Sequence, residues 1–159
     1  MKILIVSDTH RHNENYFRVL EKVGQVHMVI HCGDAEGSEY ILQEAAKAPL
    51  HIVMGNNDFF SNLPRELELE AAGKKILVTH GHYYCVSTGY ELLLDEGRAR
   101  DFDIVMFGHT HKPVIDHSNG ITILNPGSLT YPRQEGRRPS YIIMEAEEGK
   151  EIRFSIEYL

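Results

Sequence analysis

The sequence is poor in cysteine and in long apolar runs. Its two cysteines, Cys32 and Cys85, form no CxxC pair and no disulfide-rich pattern, which favours a reducing compartment. The first apolar run covers only residues 3–6, too short for the core of a signal peptide, and no later run is long enough to span a bilayer. We therefore expect a cytoplasmic protein that has no membrane partner.

Positive charge is also scarce, with 16 Lys and Arg against 23 Asp and Glu and a formal net charge of −7. A dedicated binder of extended nucleic acid needs a cationic footprint, so we do not expect that class. A small phosphate substrate stays compatible, because bound divalent cations reverse the sign of the charge locally. The 159 residues, 42% of them hydrophobic, predict a single domain over residues 1–159.

The first half of the chain alternates strand and helix. We predict a strand over 2–7, a helix over 14–23, a strand over 26–31, a helix over 38–48 capped by Ser38, and a strand over 50–54. This order implies a parallel sheet with right-handed crossovers. The strands are continuously apolar, which is typical of strands covered on both faces.

The second half is richer in strands. We predict strands over 66–70 and 75–79, a helix over 88–102, a strand over 103–107, and strands over 113–117, 121–124, 140–146 and 152–158, with turns at 119–120 and 148–149. Two sheets with helices outside them are the expected α/β assembly. The alternating, half-exposed strand over 66–70 leaves room for a homodimer.

Short polar motifs stand at the ends of five apolar runs. They are Asp8-Thr9-His10, Gly33-Asp34, Gly55-Asn56-Asn57-Asp58, His80-Gly81-His82 and Gly108-His109-Thr110-His111. A strand delivers its last residue and the following loop to one edge of a sheet, so five loops can converge on one site. Carboxylate, imidazole and carboxamide groups are hard and borderline metal ligands. The motifs therefore predict a metal centre.

Within an extended segment, residues i and i+2 project to the same side, so Asp8 and His10 can reach one ion. The same argument applies to His109 and His111. Asp34 follows a glycine that allows a sharp turn, and its two oxygens suit a bridge between two cations. A helix-capping role for Asp34 is the alternative, although Ser38 is better placed to cap.

Asn56 and His80 add a carboxamide oxygen and an imidazole, although an Asx-turn and a strand-end histidine explain each of them alone. The full set of donors is Asp8, His10, Asp34, Asn56, His80, His109 and His111. Seven donors with one shared carboxylate match a two-metal site that has open positions for water and substrate. Such a site suits phosphoester hydrolysis by attack of a metal-bridging hydroxide.

These motifs, in this order and followed by Asn125-Pro126-Gly127-Ser128, resemble the calcineurin-like metallophosphoesterase superfamily and its small YfcE-type phosphodiesterases. The resemblance implies a four-layer α/β/β/α sandwich of two mixed sheets flanked by helices. It also implies that Asp8, His10, Asp34 and His111 surround one ion, and that Asp34, Asn56, His80 and His109 surround the other. Two divalent cations are expected, manganese first, with nickel, iron or zinc as alternatives.

One position departs from the family pattern. Many members have histidine where this chain has Asn57, and an amide donates a hydrogen bond but transfers no proton at neutral pH. This difference favours substrates with a good leaving group. For His82, replacement of that histidine and a structural or solvent-facing role both stay open. Asp58 is expected to organise its loop.

We therefore predict a metal-dependent phosphodiesterase that hydrolyses a small phosphodiester, with Asp34, Asn57 and His82 as the candidate catalytic residues. The alternative is a non-catalytic protein-interaction scaffold that resembles the retromer subunit Vps29. A scaffold under no catalytic demand tends to lose ligands, whereas this chain has all seven. Arg133 is either a phosphate contact or a solvated loop arginine.

Overall fold

The computed structural model describes residues 1–118, 120–147 and 150–159. Its helices are α1 (Glu14–Val23), α2 (Glu39–Ala46) and α3 (Glu91–Ala99), and a short 3-10 turn covers His82–Tyr84. Its strands are β1 (Lys2–Val6), β2 (Met28–His31), β3 (Leu50–Ile52), β4 (Glu66–Ala71), β5 (Lys74–Thr79), β6 (Ile104–Met106), β7 (Pro113–Ser118), β8 (Ile121–Pro126), β9 (Ser140–Glu145) and β10 (Arg153–Tyr158). The predicted turns at 119–120 and 148–149 both include residues outside the described ranges.

The strands form two mixed five-stranded sheets, with the orders β10-β9-β1-β2-β3 and β4-β5-β6-β8-β7. In the first sheet β1, β2 and β3 run parallel, and β9 pairs antiparallel with β1. In the second sheet β5, β6 and β8 run parallel. The carboxyl ends of the parallel strands in each sheet therefore lie at one edge of that sheet.

Alternation along β1 shows how the layers stack. Ile3 and Ile5 join the apolar cluster between the two sheets, while Leu4 and Val6 join the cluster beneath α1 and α2. Successive side chains of a strand point to opposite faces, so a strand packed on both sides must be apolar throughout. The continuous apolar run of residues 3–6 is explained by this double coverage.

Helix α3 covers the outer face of the second sheet. Its Leu93 and Leu94 pack in one cluster with Leu77 of β5 and Val105 of β6. The resulting order of layers is helix, sheet, sheet, helix, which confirms the predicted four-layer α/β sandwich. None of the helices in the described part of the chain is both long and apolar enough to cross a membrane.

Helices α2 and α3 are both shorter at each end than predicted. Ser38 does precede α2, but its side chain makes no capping hydrogen bond. Helix α3 begins at Glu91 rather than at residue 88, because Cys85 adopts a left-handed backbone with φ of 53° and Thr88 Oγ1 donates to the Cys85 carbonyl at 2.9 Å. This local turn after the 3-10 segment delays the start of the helix.

Candidate metal centre

Loops that follow β1, β2, β3, β5 and β6 carry all seven residues predicted as metal ligands. The structure gathers their side chains into one cluster, and four of the seven residues are almost completely buried. The members are Asp8, His10, Asp34, Asn56, His80, His109 and His111. Five segments distant in sequence thus supply one site, as expected for loops at the carboxyl ends of strands.

The first group of donors contains Asp8, His10 and His111. Asp8 Oδ1 lies 3.0 Å from His111 Nε2 and 3.7 Å from His10 Nε2. The two Nε2 atoms are 3.4 Å apart. Two imidazole nitrogens and a carboxylate oxygen at these distances need a proton or a cation between them, because nitrogen lone pairs that face each other repel.

The second group is centred on Asn56. Its Oδ1 atom lies 3.0 Å from His80 Nε2 and 2.8 Å from His109 Nδ1. Asp34 Oδ2 lies 3.5 Å from His80 Nε2 and 3.8 Å from His10 Nε2, so this carboxylate faces both groups. One carboxylate between two sets of donors is the arrangement that a shared ligand requires.

Backbone carbonyls orient two of the imidazoles. His80 Nδ1 donates to the Cys32 carbonyl at 2.7 Å, and His111 Nδ1 donates to the Tyr131 carbonyl at 2.7 Å. A nitrogen that donates carries the hydrogen, so in the neutral ring the Nε2 atom keeps its lone pair. In both rings that lone pair faces the cluster.

Two further residues support the ligands and were not predicted from the sequence. Glu36 Oε1 accepts a hydrogen bond from His10 Nδ1 at 2.7 Å, and Ser7 Oγ donates to Asp8 Oδ2 at 2.5 Å. Ser7 directly precedes a predicted ligand, which is a weak signal. No sequence pattern points to Glu36, because its contact depends on the turn that follows Asp34.

The buried carboxylate of Asp8 tests whether the donors fit a metal. Its Oδ2 atom accepts from Ser7 Oγ and from the backbone amide of His109, but Oδ1 has no hydrogen-bond partner in the described part of the chain. A buried carboxylate oxygen without a partner is costly, and a cation removes that cost. Two overlapping sets have metal-ligand spacing: Asp8 with His10 and His111, and Asp8 with Asp34 and His80. The residues present therefore fit a metal centre.

Proton affinities in the cluster reflect the same crowding. Burial favours the neutral form of His10, but contacts with Asp8 and Glu36 outweigh it and raise the pKa of His10 to about 9. Burial also opposes ionisation of Asp8, but His10 and His111 hold the pKa of that carboxyl well below its usual range. Without a metal, a proton on His10 thus partly fills the place of a cation.

Behind the ligands, His31 is buried and neutral. Burial lowers the pKa of His31 to about 4. Its Nδ1 atom accepts from the Gly33 amide at 3.2 Å, and Nε2 lies 3.1 Å from Thr9 Oγ1. This imidazole ties the loop after β1 to the loop after β2.

The ligand loops have an unusual backbone. Five of the seven candidate ligands have a positive φ between 45° and 67°: Asp8, His10, Asp34, His109 and His111. The predicted geometry, two side chains projecting from one side of an extended segment, is therefore wrong. Each pair reaches the cluster from a tight turn, and such left-handed positions are concentrated at functional sites.

Two glycines permit close approach of the backbone to the ligands. A Cβ atom at Gly55 would lie 2.0 Å from Asp34 Oδ1, and one at Gly108 would lie 2.1 Å from Ser7 Oγ and 2.9 Å from Asp8 Oδ2. No larger residue fits at either position while the carboxylates stay in place. The glycines of these two motifs are thus explained by contact rather than by turn geometry.

Asp58 lies behind the ligands rather than among them. Its Oδ2 atom accepts from the amides of Asp34 and Gly55 at 2.8 and 2.7 Å, and Oδ1 accepts from the amide of Glu36 at 2.6 Å. The carboxylate thereby joins the loop after β2 to the loop after β3, the geometry required for the expected loop-organising role.

Asn57 and His82 both border the cluster. Asn57 Nδ2 donates to Asp34 Oδ2 at 2.7 Å, and the Asn57 amide donates to Asp34 Oδ1 at 2.8 Å. The His82 ring lies 5.4 Å from the His80 ring and 4.0 Å from the Tyr83 ring, centroid to centroid. Asn57 thus contacts the shared carboxylate directly, whereas His82 lies one ring further out.

The four-layer α/β/β/α sandwich brings carboxylates and imidazoles together at its strand ends, with the spacing of metal ligands. The family model of the calcineurin-like phosphoesterase superfamily domain matches residues 1–149. The chain therefore belongs to the calcineurin-like phosphoesterase superfamily.

Individual relatives agree with this assignment. A probable metallophosphoesterase of Bacillus subtilis is 34% identical over 156 residues, which cover 97% of this chain and 90% of that protein. A phosphodiesterase of Methanocaldococcus jannaschii is 31% identical over 145 residues, covering 80% of this chain and 83% of that protein. Both of these relatives are named as hydrolases of phosphate esters.

Solved structures show the same fold. A predicted phosphoesterase from Streptococcus pneumoniae superposes with a TM-score of 0.82 at 30% identity, covering 99% of this chain and 88% of that one. A single mutant of Vps29 from Entamoeba histolytica gives a TM-score of 0.79 at 24% identity, covering 100% of this chain and 99% of that one. The second similarity concerns the fold alone.

Proposed function

We propose that this protein is a binuclear metal-dependent phosphodiesterase that acts on a small phosphodiester. The observation that carries the proposal is the position of Asp34, whose Oδ2 atom faces imidazoles of both donor groups. In this assignment Asp34 is shared, Asp8, His10 and His111 complete one site, and Asn56, His80 and His109 complete the other. When bound, two divalent cations activate water and stabilise the phosphoryl charge.

The chain's own residues hold this arrangement in place. Asn57 donates to both oxygens of Asp34 and so keeps the shared carboxylate oriented toward both groups. As an amide it cannot pass a proton to a departing alkoxide, so ester groups that leave as stable anions are favoured. A diester with a phenolic leaving group fits this requirement.

For His82 the surroundings favour a neutral imidazole. Burial, together with His80 and His109, lowers the pKa of His82 to about 4. A histidine with this pKa is not an imidazolium at neutral pH, so it is a poor general acid. We assign it a hydrogen-bonding role toward substrate or water.

Manganese is the metal that we propose first. The donor set mixes carboxylate, carboxamide and imidazole groups, and such sites also accept nickel, iron or zinc, so availability decides between them. Two ions per chain are expected.

The relatives support the reaction class and also supply the alternative. The archaeal relative is named a phosphodiesterase, which supports diester hydrolysis here. The Vps29 neighbours support a scaffold role only through the shared fold. Convergence of all seven donors on one cluster favours the enzyme, because a scaffold does not require it.

Hydrolysis of bis-p-nitrophenyl phosphate tests the proposal. Protein stripped with a chelator and reloaded with manganese is compared with Asp34→Asn, and the mono-ester is run in parallel. Asp101→Asn is the matched control, because Asp101 is exposed and has a positive φ of 55°, close to the 62° of Asp34. Metal counting by mass spectrometry is run on the same samples.

The proposal predicts metal-dependent diester turnover, a weaker mono-ester rate and two ions per chain. Asp34→Asn should lose activity, whereas Asp101→Asn should keep it. Absence of turnover with manganese, nickel, iron and zinc would reject it and favour the scaffold. Turnover with a single bound ion would reject the binuclear assignment alone.

A further inference from the structure

A cavity of about 370 Å³ lies beside the metal cluster. It is formed between the segment after the 3-10 turn and the loop that joins β6 to β7. Its apolar wall includes Val86, Phe107 and Val114, and its polar rim includes Thr110, Lys112 and Arg133. Cavities of this size are typical of small-molecule sites.

The cavity borders the loop that carries two of the proposed ligands, His109 and His111. Thr110 stands between His109 and His111, so its Cα is only about 3.8 Å from theirs. The Arg133 amide donates to the His111 carbonyl at 3.0 Å. A substrate whose phosphate is held at the cluster can therefore extend one of its ester groups into the cavity.

Both cations on the rim are available. Lys112 and Arg133 are exposed, and within the described ranges neither side chain has an ion pair or a hydrogen bond. By contrast, Arg100 is paired with Glu66 and Glu68 at 2.8 and 2.7 Å. Two free positive charges at one cavity mouth suit an anionic group.

The apolar wall is preformed. Val86 and Phe107 are 4% and 2% exposed, and their positions belong to the core beneath α3. The Tyr90 ring packs 6.1 Å from the Phe107 ring, and its hydroxyl donates to Asp116 Oδ2 at 2.7 Å. A rigid wall of this kind suits a flat ring rather than a polar chain.

From this arrangement we propose that the cavity binds one ester group of the substrate, and that this group is nucleoside-like: a flat ring that also carries a second anionic group. The diester phosphate lies at the metal cluster, the ring lies against the apolar wall, and the second anion contacts Lys112 and Arg133. The inference rests on the proposed phosphodiesterase function and names the substrate class for the same site.

Two chromogenic substrates separate the contributions. Thymidine 5′-(p-nitrophenyl phosphate) and the same compound with a 3′-phosphate release the same phenolate and differ only in the second anion. Manganese-loaded protein is expected to show a kcat/KM about tenfold higher for the phosphorylated compound, the usual scale for charge-assisted contacts. The double variant Lys112→Ala/Arg133→Ala is expected to remove this preference, so that its kcat/KM values for the two thymidine compounds become equal.

Ser87 offers a matched pair of variants, because it is exposed and also lines the cavity. Ser87→Asp adds a negative charge beside the second anion and should reduce kcat/KM for the 3′-phosphorylated substrate. Ser87→Asn adds a side chain of the same shape as Asp but without charge, and should not reduce it. Arg18→Ala, which removes an exposed cation of α1 outside the cavity, controls for the loss of a single positive charge. All of these variants alter surface residues, and thermal melting checks that they fold.

Equal kcat/KM for the two thymidine compounds, with normal turnover of bis-p-nitrophenyl phosphate, would overturn the cavity proposal and leave the phosphodiesterase proposal intact. The cavity proposal is equally overturned if Arg18→Ala removes the preference as well as the double variant does. Loss of all diester turnover in the unmodified protein would instead reject the underlying function.

Discussion

Glu36 is expected to control the affinity of one metal ion. It is a side-chain carboxylate hydrogen-bonded to the outer nitrogen of a candidate ligand, His10, whereas His80 and His111 use backbone carbonyls that substitution cannot remove. Glu36→Gln keeps the shape but removes the negative charge. We expect this change to weaken the ion held by Asp8, His10 and His111 and to spare the other one.

The magnitude follows from the contact. A charge-assisted hydrogen bond is worth roughly 1.5–3 kcal/mol. The Glu36 side chain is 25% exposed, so solvent screens the interaction and the lower end of this energy range applies. About 1.5 kcal/mol corresponds to about a tenfold loss of affinity for one ion.

The loss depends on pH, because Glu36 also stabilises the proton that the metal must displace. The pKa of His10 is raised to about 9, so at pH 7 that proton competes with the ion by about a hundredfold. Glu36→Gln lowers this pKa and relieves part of the competition. The full loss of affinity should therefore appear near pH 9 and a smaller loss at pH 7.

Zinc titration against a chromophoric chelator, at both pH values, measures the two binding constants. Glu44→Gln is the control, since Glu44 is an exposed carboxylate of α2 away from the cluster. The role given to Glu36 is refuted if Glu36→Gln binds both ions near pH 9 as tightly as the unmodified protein, or if Glu44→Gln weakens binding equally.

Three further outcomes are expected. In Asp58→Asn an amide NH₂ faces backbone N–H groups whose hydrogen bonds the carboxylate accepts, so urea unfolding of the metal-free protein should show a free energy of unfolding lower by about 2 kcal/mol. A decrease of less than about 0.5 kcal/mol, as for an ordinary surface substitution, would contradict this role of Asp58. Asn57→His supplies a proton donor, so the rate across a series of aryl diesters should depend less steeply on leaving-group pKa, and an unchanged slope argues against the role given to Asn57. Burial lowers the pKa of His31 to about 4, so below about pH 6.5 the unfolded chain binds a proton that the folded chain does not. The metal-free protein should therefore lose up to about 3 kcal/mol of its free energy of unfolding between pH 6.5 and 4. The variant His31→Gln should show a weaker dependence of stability on pH.

The layers of the fold could be predicted because their signals are local. The apolar run of residues 3–6 needs two covered faces, and the alternation of residues 66–70 needs one, and both are found in the structure. The gathering of the seven donors also followed from strand order alone. What the sequence could not predict was the backbone conformation of the loops, since Asp58 bonds the Asp34 amide from 24 residues away.

Side-chain contacts inside the cluster were beyond prediction for the same reason. Asn57 was predicted as a candidate catalytic residue, but the contact of its side-chain amide with Asp34 at 2.7 Å was not predicted, and no sequence pattern pointed to Glu36. The cavity beside the cluster is built from segments on both sides of α3, so no single stretch of sequence reveals it.

The positive φ angles of the ligand loops carry an evolutionary consequence. A left-handed backbone costs a non-glycine residue about 1 kcal/mol or more, and the five positions together approach the whole stability of a small domain. A change of His109, whose side chain is only half-buried, to glycine should therefore raise the melting temperature of the metal-free protein while it abolishes the proposed activity. Selection for stability alone would therefore act against the backbone conformation that this site requires.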